Sequence, residues 1–101
     1  MAATNHSCSE NKINKFPAEL QAYLCNVFPM LSAKECETLY WFSKGYARDH
    51  IADLMSVKPR TVSFHLDSCK DKFDCSSTAL LRSIYHCWLE TARIVNNSTA
   101  A

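Results

Sequence analysis

Two cations, Lys58 and Arg60, open a segment whose apolar residues recur at helical spacing. The apolar residues fall on one side of the helix that this spacing predicts: Val62, Leu66, Cys69 and Phe73. Pro59 suits the first turn, where its missing N–H costs nothing. Both cations therefore lie at the positive end of the helix dipole, which attracts anions. The chemistry predicted here is the binding of an anion such as phosphate.

The opposite side of this predicted helix has no evident reason to be buried. It carries Arg60, Ser63, Phe64, Asp67 and Asp71. A short helix that begins with two cations and presents a mixed face outward suits the major groove of DNA. Phe64 has three interpretations: contact with DNA, part of a protein-contact patch, or packing against a neighbouring helix. Lys58 and Arg60 could also be plain solvated charge, and we expect His65 to be half-buried and structural.

Helical elements are predicted on both sides of this segment. An amphipathic helix over residues 17–28 precedes it, with Pro17 in the first turn. Ser32 and Glu35 have the spacing of a capping box, with Leu31 placed as a hydrophobic staple. The helix that they begin should end near Lys44, before Gly45.

Two more helices complete the prediction. A short helix covers roughly Arg48–Met55, and a last helix, capped by Ser76 or Ser77, runs to about Ile94. A turn of about three residues joins the short helix to the helix of Pro59, which is the layout of a helix-turn-helix. The prediction is thus an all-α chain of five helices. It divides into a mobile arm (residues 1–14), a domain (15–95) and a mobile tail (96–101).

Composition limits the classes of function. The 101-residue chain predicts one domain, and its net charge of +1 means that nucleic-acid binding must come from local placement. Residues 44–72 hold six cations against four Asp, a modest excess. No catalytic constellation is visible, and a single Gly cannot build a phosphate-binding loop, so we expect neither an enzyme nor a cofactor.

The six cysteines are predicted to be reduced thiols in a cytoplasmic protein. No C-x-x-C pair suggests a zinc site, and most thiols lie in apolar helical patterns, with Cys8 in the arm as the exception. The polar segment Met1–Lys12 does not look like a signal peptide. No apolar run is long enough to cross a bilayer, so no membrane association is expected.

A spaced set of residues carries a family resemblance. It comprises Leu31, Ser32, Glu35, Leu39, Gly45, Ile51, Ala52, Met55, Thr61, Val62, His65, Lys72, Phe73, Ser77, Thr78 and Leu81. This run, from Leu31 to about Leu81, resembles the LuxR/FixJ-type DNA-binding domain, a four-helix helix-turn-helix module of bacterial transcription regulators. The resemblance implies that fold, with the helix of residues 17–28 as an N-terminal addition.

The resemblance also implies roles for single residues. Lys58, Arg60 and Thr61 fall where phosphate contacts are usual, and Ser63, Phe64 and Asp67 fall where base edges are met. Lys70 joins them as a further DNA-binding candidate. The family often has a cation, a small aliphatic and a second cation at the three base-facing places, so this chain departs from the pattern there. It also has Lys58 and Ala47 where capping residues are usual.

The last helix is apolar over too wide an arc for one contact. In the resembling family the fourth helix often pairs with its symmetry mate, which implies a homodimer. The dimerisation candidates are Leu81, Ile84, Tyr85 and Trp88. The helix of residues 17–28 either covers this surface within its own chain or extends the dimer contact.

These observations predict a stand-alone, cytoplasmic bacterial transcription regulator that binds double-stranded DNA as a homodimer. The alternative is a helix-turn-helix fold converted to a protein-interaction module that sequesters or bridges another regulator. Ser63, Phe64 and Asp67 favour the alternative, whereas Lys58 and Arg60, with Lys70 and Lys72, favour DNA.

Overall fold

The computed structural model describes the backbone of residues 16–100 and the side chains of residues 16–96. Five α-helices and no strand occur within them: α1 Ala18–Val27, α2 Ala33–Ser43, α3 Arg48–Met55, α4 Pro59–Phe73 and α5 Thr78–Ala100. The all-α prediction is therefore confirmed, and α3 has the predicted bounds. The predicted arm, residues 1–14, lies outside the described residues.

The two ends of α2 follow the predicted capping chemistry. The Ser32 hydroxyl accepts a hydrogen bond from the Glu35 N–H at 3.2 Å, and Glu35 Oε1 accepts one from the Ser32 N–H at 2.8 Å. This is the reciprocal capping box, with Leu31 buried behind it. Gly45 follows the helix with a φ of +98°, a left-handed conformation that a side chain would strain.

α2 lies at the centre of the fold and contacts each of the other four helices. Leu39 is fully buried, and Trp41 and Phe42 are buried as well. The indole of Trp41 packs against Phe16, which precedes α1, at a ring distance of 6.2 Å. The core is thus built around α2 from apolar residues of every helix.

An aromatic cluster joins α1, α4 and α5. Phe28, just after α1, is fully buried and stacks on Tyr85 at 5.5 Å and on Trp88 at 5.4 Å. It meets the ring of Phe73, the last residue of α4, edge-on at 5.9 Å. α1 therefore covers part of α5 within the same chain, which was one of the two alternatives left open by the sequence.

The last helix is longer than predicted. The Ser77 hydroxyl accepts a hydrogen bond from the Leu80 N–H at 3.1 Å and so caps its start. The helix then continues to Ala100 instead of ending near Ile94, and residues 96–100, predicted as a tail, are helical. The segment from 78 to 100 contains neither Gly nor Pro, so nothing in its backbone ends the helix where the apolar pattern fades.

Candidate nucleic-acid interface

The turn between α3 and α4 sets the direction of α4. Ser56 ends α3 with a φ of 58° and a ψ of 44°, and the Val57 N–H donates to the Ala52 carbonyl at 2.9 Å. These bonds satisfy the last carbonyls of α3. Neither Ala47 nor Lys58 supplies a side-chain cap to the helix that it precedes, in agreement with the departures seen in the sequence.

One side of α4 is anchored in the core. Val62, Leu66 and Cys69 are fully buried, and Phe73 is half-buried against the aromatic cluster. The apolar stripe predicted from spacing is therefore confirmed. Because this stripe fixes the rotation of α4 about its axis, the opposite side must face away from the protein.

Four residues form an exposed line along that opposite side, which we call the α4 ridge: Arg60, Phe64, Asp67 and Asp71. The side chain of Phe64 is the most exposed large apolar group described, at 67 %, and its ring lies 5.9 Å from that of its neighbour His65. Packing of Phe64 against a neighbouring helix is therefore the wrong interpretation. Ser63 lies beside the ridge and is half-buried, as is His65.

The N-terminal end of α4 carries its free cations. Lys58 and Arg60 are exposed, Thr61 is half-buried, and neither cation has an ion-pair partner in the described part of the chain. With the helix dipole, this end of α4 attracts anions. The structure thus brings the predicted phosphate-binding residues together at the start of the ridge.

The cations at the other end of α4 are neutralised by carboxylates. Lys70 Nζ lies 3.5 Å from Asp67 Oδ1, and Lys72 Nζ lies 2.8 Å from Glu35 Oε1. Positive charge is therefore concentrated at the N-terminal end of the ridge. The pairing of Lys72 with Glu35 spans 37 residues of chain, and no local pattern in the sequence indicates it.

Glu35 connects α2 to α4. It is buried, and besides capping α2 it accepts hydrogen bonds from the Ser68 hydroxyl and the Lys72 ammonium. Burial alone would raise the pKa of this carboxyl, but these hydrogen bonds and the ammonium charge outweigh burial and lower the pKa from 4.5 to about 2. Glu35 is therefore ionised near neutral pH and holds α4 against α2.

Two of the described thiols are held in their protonated form. Burial raises the pKa of the Cys36 and Cys69 thiols to about 12, which leaves them protonated and unreactive near neutral pH. No group of three or more His, Cys, Asp or Glu in the described residues could hold a metal ion. Among the described helices, none has the length and hydropathy needed to span a bilayer.

The predicted dimerisation residues divide between core and surface. Leu81 and Tyr85 are buried inside the monomer, so they are not free to contact a second copy. Ile84 is half-buried, and Trp88 is 36 % exposed. Three further large apolar side chains of α5 are exposed, Leu80 at 49 %, Ile94 at 59 % and Val95 at 55 %. The sequence did not single them out because it did not show which face of α5 the aromatic cluster covers.

Comparison with known proteins identifies the module that carries the α4 ridge. Residues 29–83, more than half of the chain, match the family model of bacterial regulatory proteins, luxR family. The match covers α2, α3, α4 and the start of α5, whereas α1 and the rest of α5 lie outside it. No curated protein and no solved structure matches the chain significantly. The helix-turn-helix prediction is confirmed, and the chain belongs to the luxR family of bacterial regulatory proteins and carries its DNA-binding domain.

Proposed function

We propose that the protein binds double-stranded DNA as a homodimer, with α4 in the major groove, and regulates transcription in the bacterial cytoplasm. The observation that carries this proposal is the α4 ridge. It is exposed along its length, and Lys58 and Arg60, which have no ion-pair partner among the described residues, lie at its N-terminal end. Lys58 and Arg60, with Thr61, then contact phosphates, and Ser63, Phe64 and Asp67 face the base edges.

The charge pattern of α4 bears on affinity. Phosphate contacts dominate binding and make it salt-dependent. Within the described residues, Lys58 and Arg60 at the start of α4 have no ion pair, whereas Lys70 and Lys72 near its end are paired with carboxylates. We expect Lys70 to contact phosphate only where its ion pair with Asp67 opens. A single module should therefore bind weakly, and two modules on one site are needed for tight binding.

The test of DNA binding is fluorescence anisotropy of a labelled pool of genomic fragments across a salt series. Saturable, salt-sensitive binding is expected near physiological ionic strength. Arg60→Ala should weaken binding to all sequences and reduce the slope of log K against log salt by about 1. Arg93→Ala, which removes an exposed cation from α5, is the matched control and should leave the slope unchanged.

Dimerisation is supported by the exposed side of α5. Apolar or small residues recur there at intervals of four and three, all exposed except the half-buried Ile84: Leu80, Ile84, Cys87, Thr91 and Ile94. This is the spacing of a coiled-coil seam. A second copy pairing along this seam would set two α4 helices about one DNA turn (~34 Å) apart on a near-palindromic site.

Sedimentation equilibrium tests the dimer. Ile94→Glu and Leu80→Glu should each shift the protein towards the monomer, because a charge in the seam would be desolvated. The control Arg93→Glu changes an exposed residue off the seam and should leave the association constant within about two-fold. A wild-type protein that stays monomeric at tens of micromolar contradicts the proposed dimer.

One observation favours the alternative function. A phenylalanine ring that is 67 % exposed beside two carboxylates is unusual on a surface that meets phosphate. If the partner of α4 is another regulator instead of DNA, Phe64→Ala abolishes capture of that protein while Arg60→Ala changes little. Absence of salt-sensitive DNA binding in the anisotropy experiment would favour this alternative.

A further inference from the structure

The middle of the α4 ridge consists of one apolar ring and one carboxylate. Phe64 is 67 % exposed, and the side chain of Asp67 is 67 % exposed although Lys70 lies 3.5 Å from one of its oxygens. The two residues are three positions apart and therefore neighbours on the helix surface. Their axial separation, about 4.5 Å at ~1.5 Å per residue, is close to the ~3.4 Å spacing of base pairs. Both side chains can thus meet the same or adjacent base pairs.

Each group has few favourable partners in the major groove. An aromatic ring neither donates nor accepts a strong hydrogen bond, and the apolar group that the groove offers is the C5-methyl of thymine. A carboxylate is only an acceptor, so it requires a donor, which cytosine N4 or adenine N6 supplies. Guanine presents two acceptors and repels a carboxylate, whereas adenine places its N7 acceptor next to its donor, so a carboxylate meets repulsion there as well as a hydrogen bond. Cytosine is therefore the more favourable partner.

We propose that Phe64 and Asp67 select adjacent pyrimidines on one strand of the target, Phe64 by the thymine methyl and Asp67 by the cytosine amino group. This inference rests on the proposed binding of α4 in the major groove. The ion pair with Lys70 serves it by holding the Asp67 carboxylate on the ridge while most of that side chain stays open. Substitution of guanine for the selected cytosine should be the least tolerated change, since it replaces a donor with acceptors facing a negative charge.

The experiment has two stages. A random 20-base-pair duplex pool is first selected with wild-type protein, and the enriched sequence is expected to contain a thymine next to a cytosine in each half-site. That duplex is then made in two altered forms. One form carries deoxyuridine for the thymine, which removes only the methyl group. The other carries 2-pyrimidinone deoxyriboside for the cytosine, which removes only the amino group.

Double-mutant cycles assign each base group to its residue. Loss of the thymine methyl should weaken binding by the wild type about four-fold, the effect of one buried methyl-sized group. It should leave the affinity of the Phe64→Ala variant unchanged. Loss of the cytosine amino group should weaken binding by the wild type at least about five-fold and leave the affinity of the Asp67→Ala variant unchanged. Met30→Ala, which shortens an exposed apolar side chain in the connection between α1 and α2, should respond like the wild type. Because both ridge residues are exposed, circular dichroism should show unchanged helix content in these variants.

The outcomes separate this inference from the proposed function. Failure of the wild type to enrich or bind any duplex overturns the proposed function, and the inference with it. Salt-sensitive binding to an enriched site that tolerates both altered bases overturns the inference alone. The two cycles test the two residues independently. If Phe64→Ala still binds the deoxyuridine duplex more weakly than the unaltered one, Phe64 does not contact the methyl group. The same result for Asp67→Ala with the 2-pyrimidinone duplex would show that Asp67 does not contact the amino group.

Discussion

At the scale of single residues, the charge of α4 is divided along its length. Lys58 and Arg60 are unpaired at the N-terminal end, whereas Lys70 faces Asp67 and Lys72 faces Glu35 within the described chain. Asp67 therefore weakens the attraction of α4 for phosphate in two ways, through its own negative charge and by neutralising the neighbouring cation Lys70. A carboxylate at position 67 should lower the affinity for DNA of any sequence. We propose that it raises selectivity instead, through its contact with a base edge.

Asp67→Asn should tighten binding to DNA of unrelated sequence. The substitution removes a negative charge from the ridge and frees Lys70, so the salt dependence should steepen by about 1 in slope. Anisotropy with a random duplex pool at three salt concentrations measures both effects. Glu90→Gln, an exposed carboxylate on α5, is the control and should change neither. Unchanged or weaker binding by Asp67→Asn contradicts this account.

Glu35 supports a prediction about pH. Its pKa is about 2 in the folded protein against 4.5 in an unperturbed carboxyl, so its stabilising contribution is complete above pH 4.5 and is lost as pH falls towards 2. Glu35→Gln should lower the free energy of unfolding at pH 7 by about 2 kcal/mol.

Urea denaturation at several pH values measures the contribution of Glu35. The difference in stability between wild type and Glu35→Gln should narrow between about pH 4.5 and 2, because the wild-type carboxyl becomes protonated there. The matched control is Glu19→Gln, at an exposed position in α1, and its small effect should not follow this profile. A constant difference for Glu35→Gln across the whole range would falsify the role assigned to its charge.

At the scale of elements, local signals in the sequence predict most of the fold. Ser32 and Glu35 fix the start of α2, and the bounds of α3 follow from its apolar residues and the turn after Met55. The buried side of α4 follows from its stripe, so the ridge could also be predicted. Local signals do not reveal contacts between residues that are distant in the sequence. Two such contacts are the pairing of Glu35 with Lys72 and the packing of Phe28 on one face of α5. Leu81 and Tyr85 were therefore placed on a dimer surface although they belong to the core.

The α3–α4 turn contains a residue that is not suited to its conformation. Ser56 adopts a φ of 58°, where a side chain is strained and Gly is not. Ser56→Gly should therefore raise the free energy of unfolding by about 0.5–1 kcal/mol, the relief of strain less the greater entropy of the unfolded chain. Thermal and urea denaturation measure the gain. Ser83→Gly, inside α5, is a control of opposite sign and should destabilise the protein by about 0.5 kcal/mol, because Gly has the lower helix propensity. Destabilisation by both substitutions contradicts the strain at Ser56.

At the scale of the whole molecule, the elements outside the family match support α4, the element that we propose reads DNA. α1 and most of α5 lie outside residues 29–83, yet Phe28 packs on Tyr85 and Trp88 of α5 and on Phe73 at the end of α4. The aromatic cluster therefore holds the C-terminal end of α4, while Glu35 holds α4 against α2 through Ser68 and Lys72. Both anchors lie behind the ridge, so they stabilise its position without covering it.

Phe28→Ala tests whether this arrangement couples the added helices to the DNA-binding module. Removal of a fully buried ring should cost about 3–5 kcal/mol, and at ~4–8 °C per kcal/mol the melting temperature should fall by at least about 12 °C. Met30→Ala, two residues on and partly exposed, should cost less than about 1 kcal/mol. If the cluster orients α4, Phe28→Ala should also weaken binding to a selected DNA site at temperatures where the variant remains helical by circular dichroism. A variant that is less stable but binds that site with wild-type affinity would show that the cluster stabilises the fold without positioning the ridge.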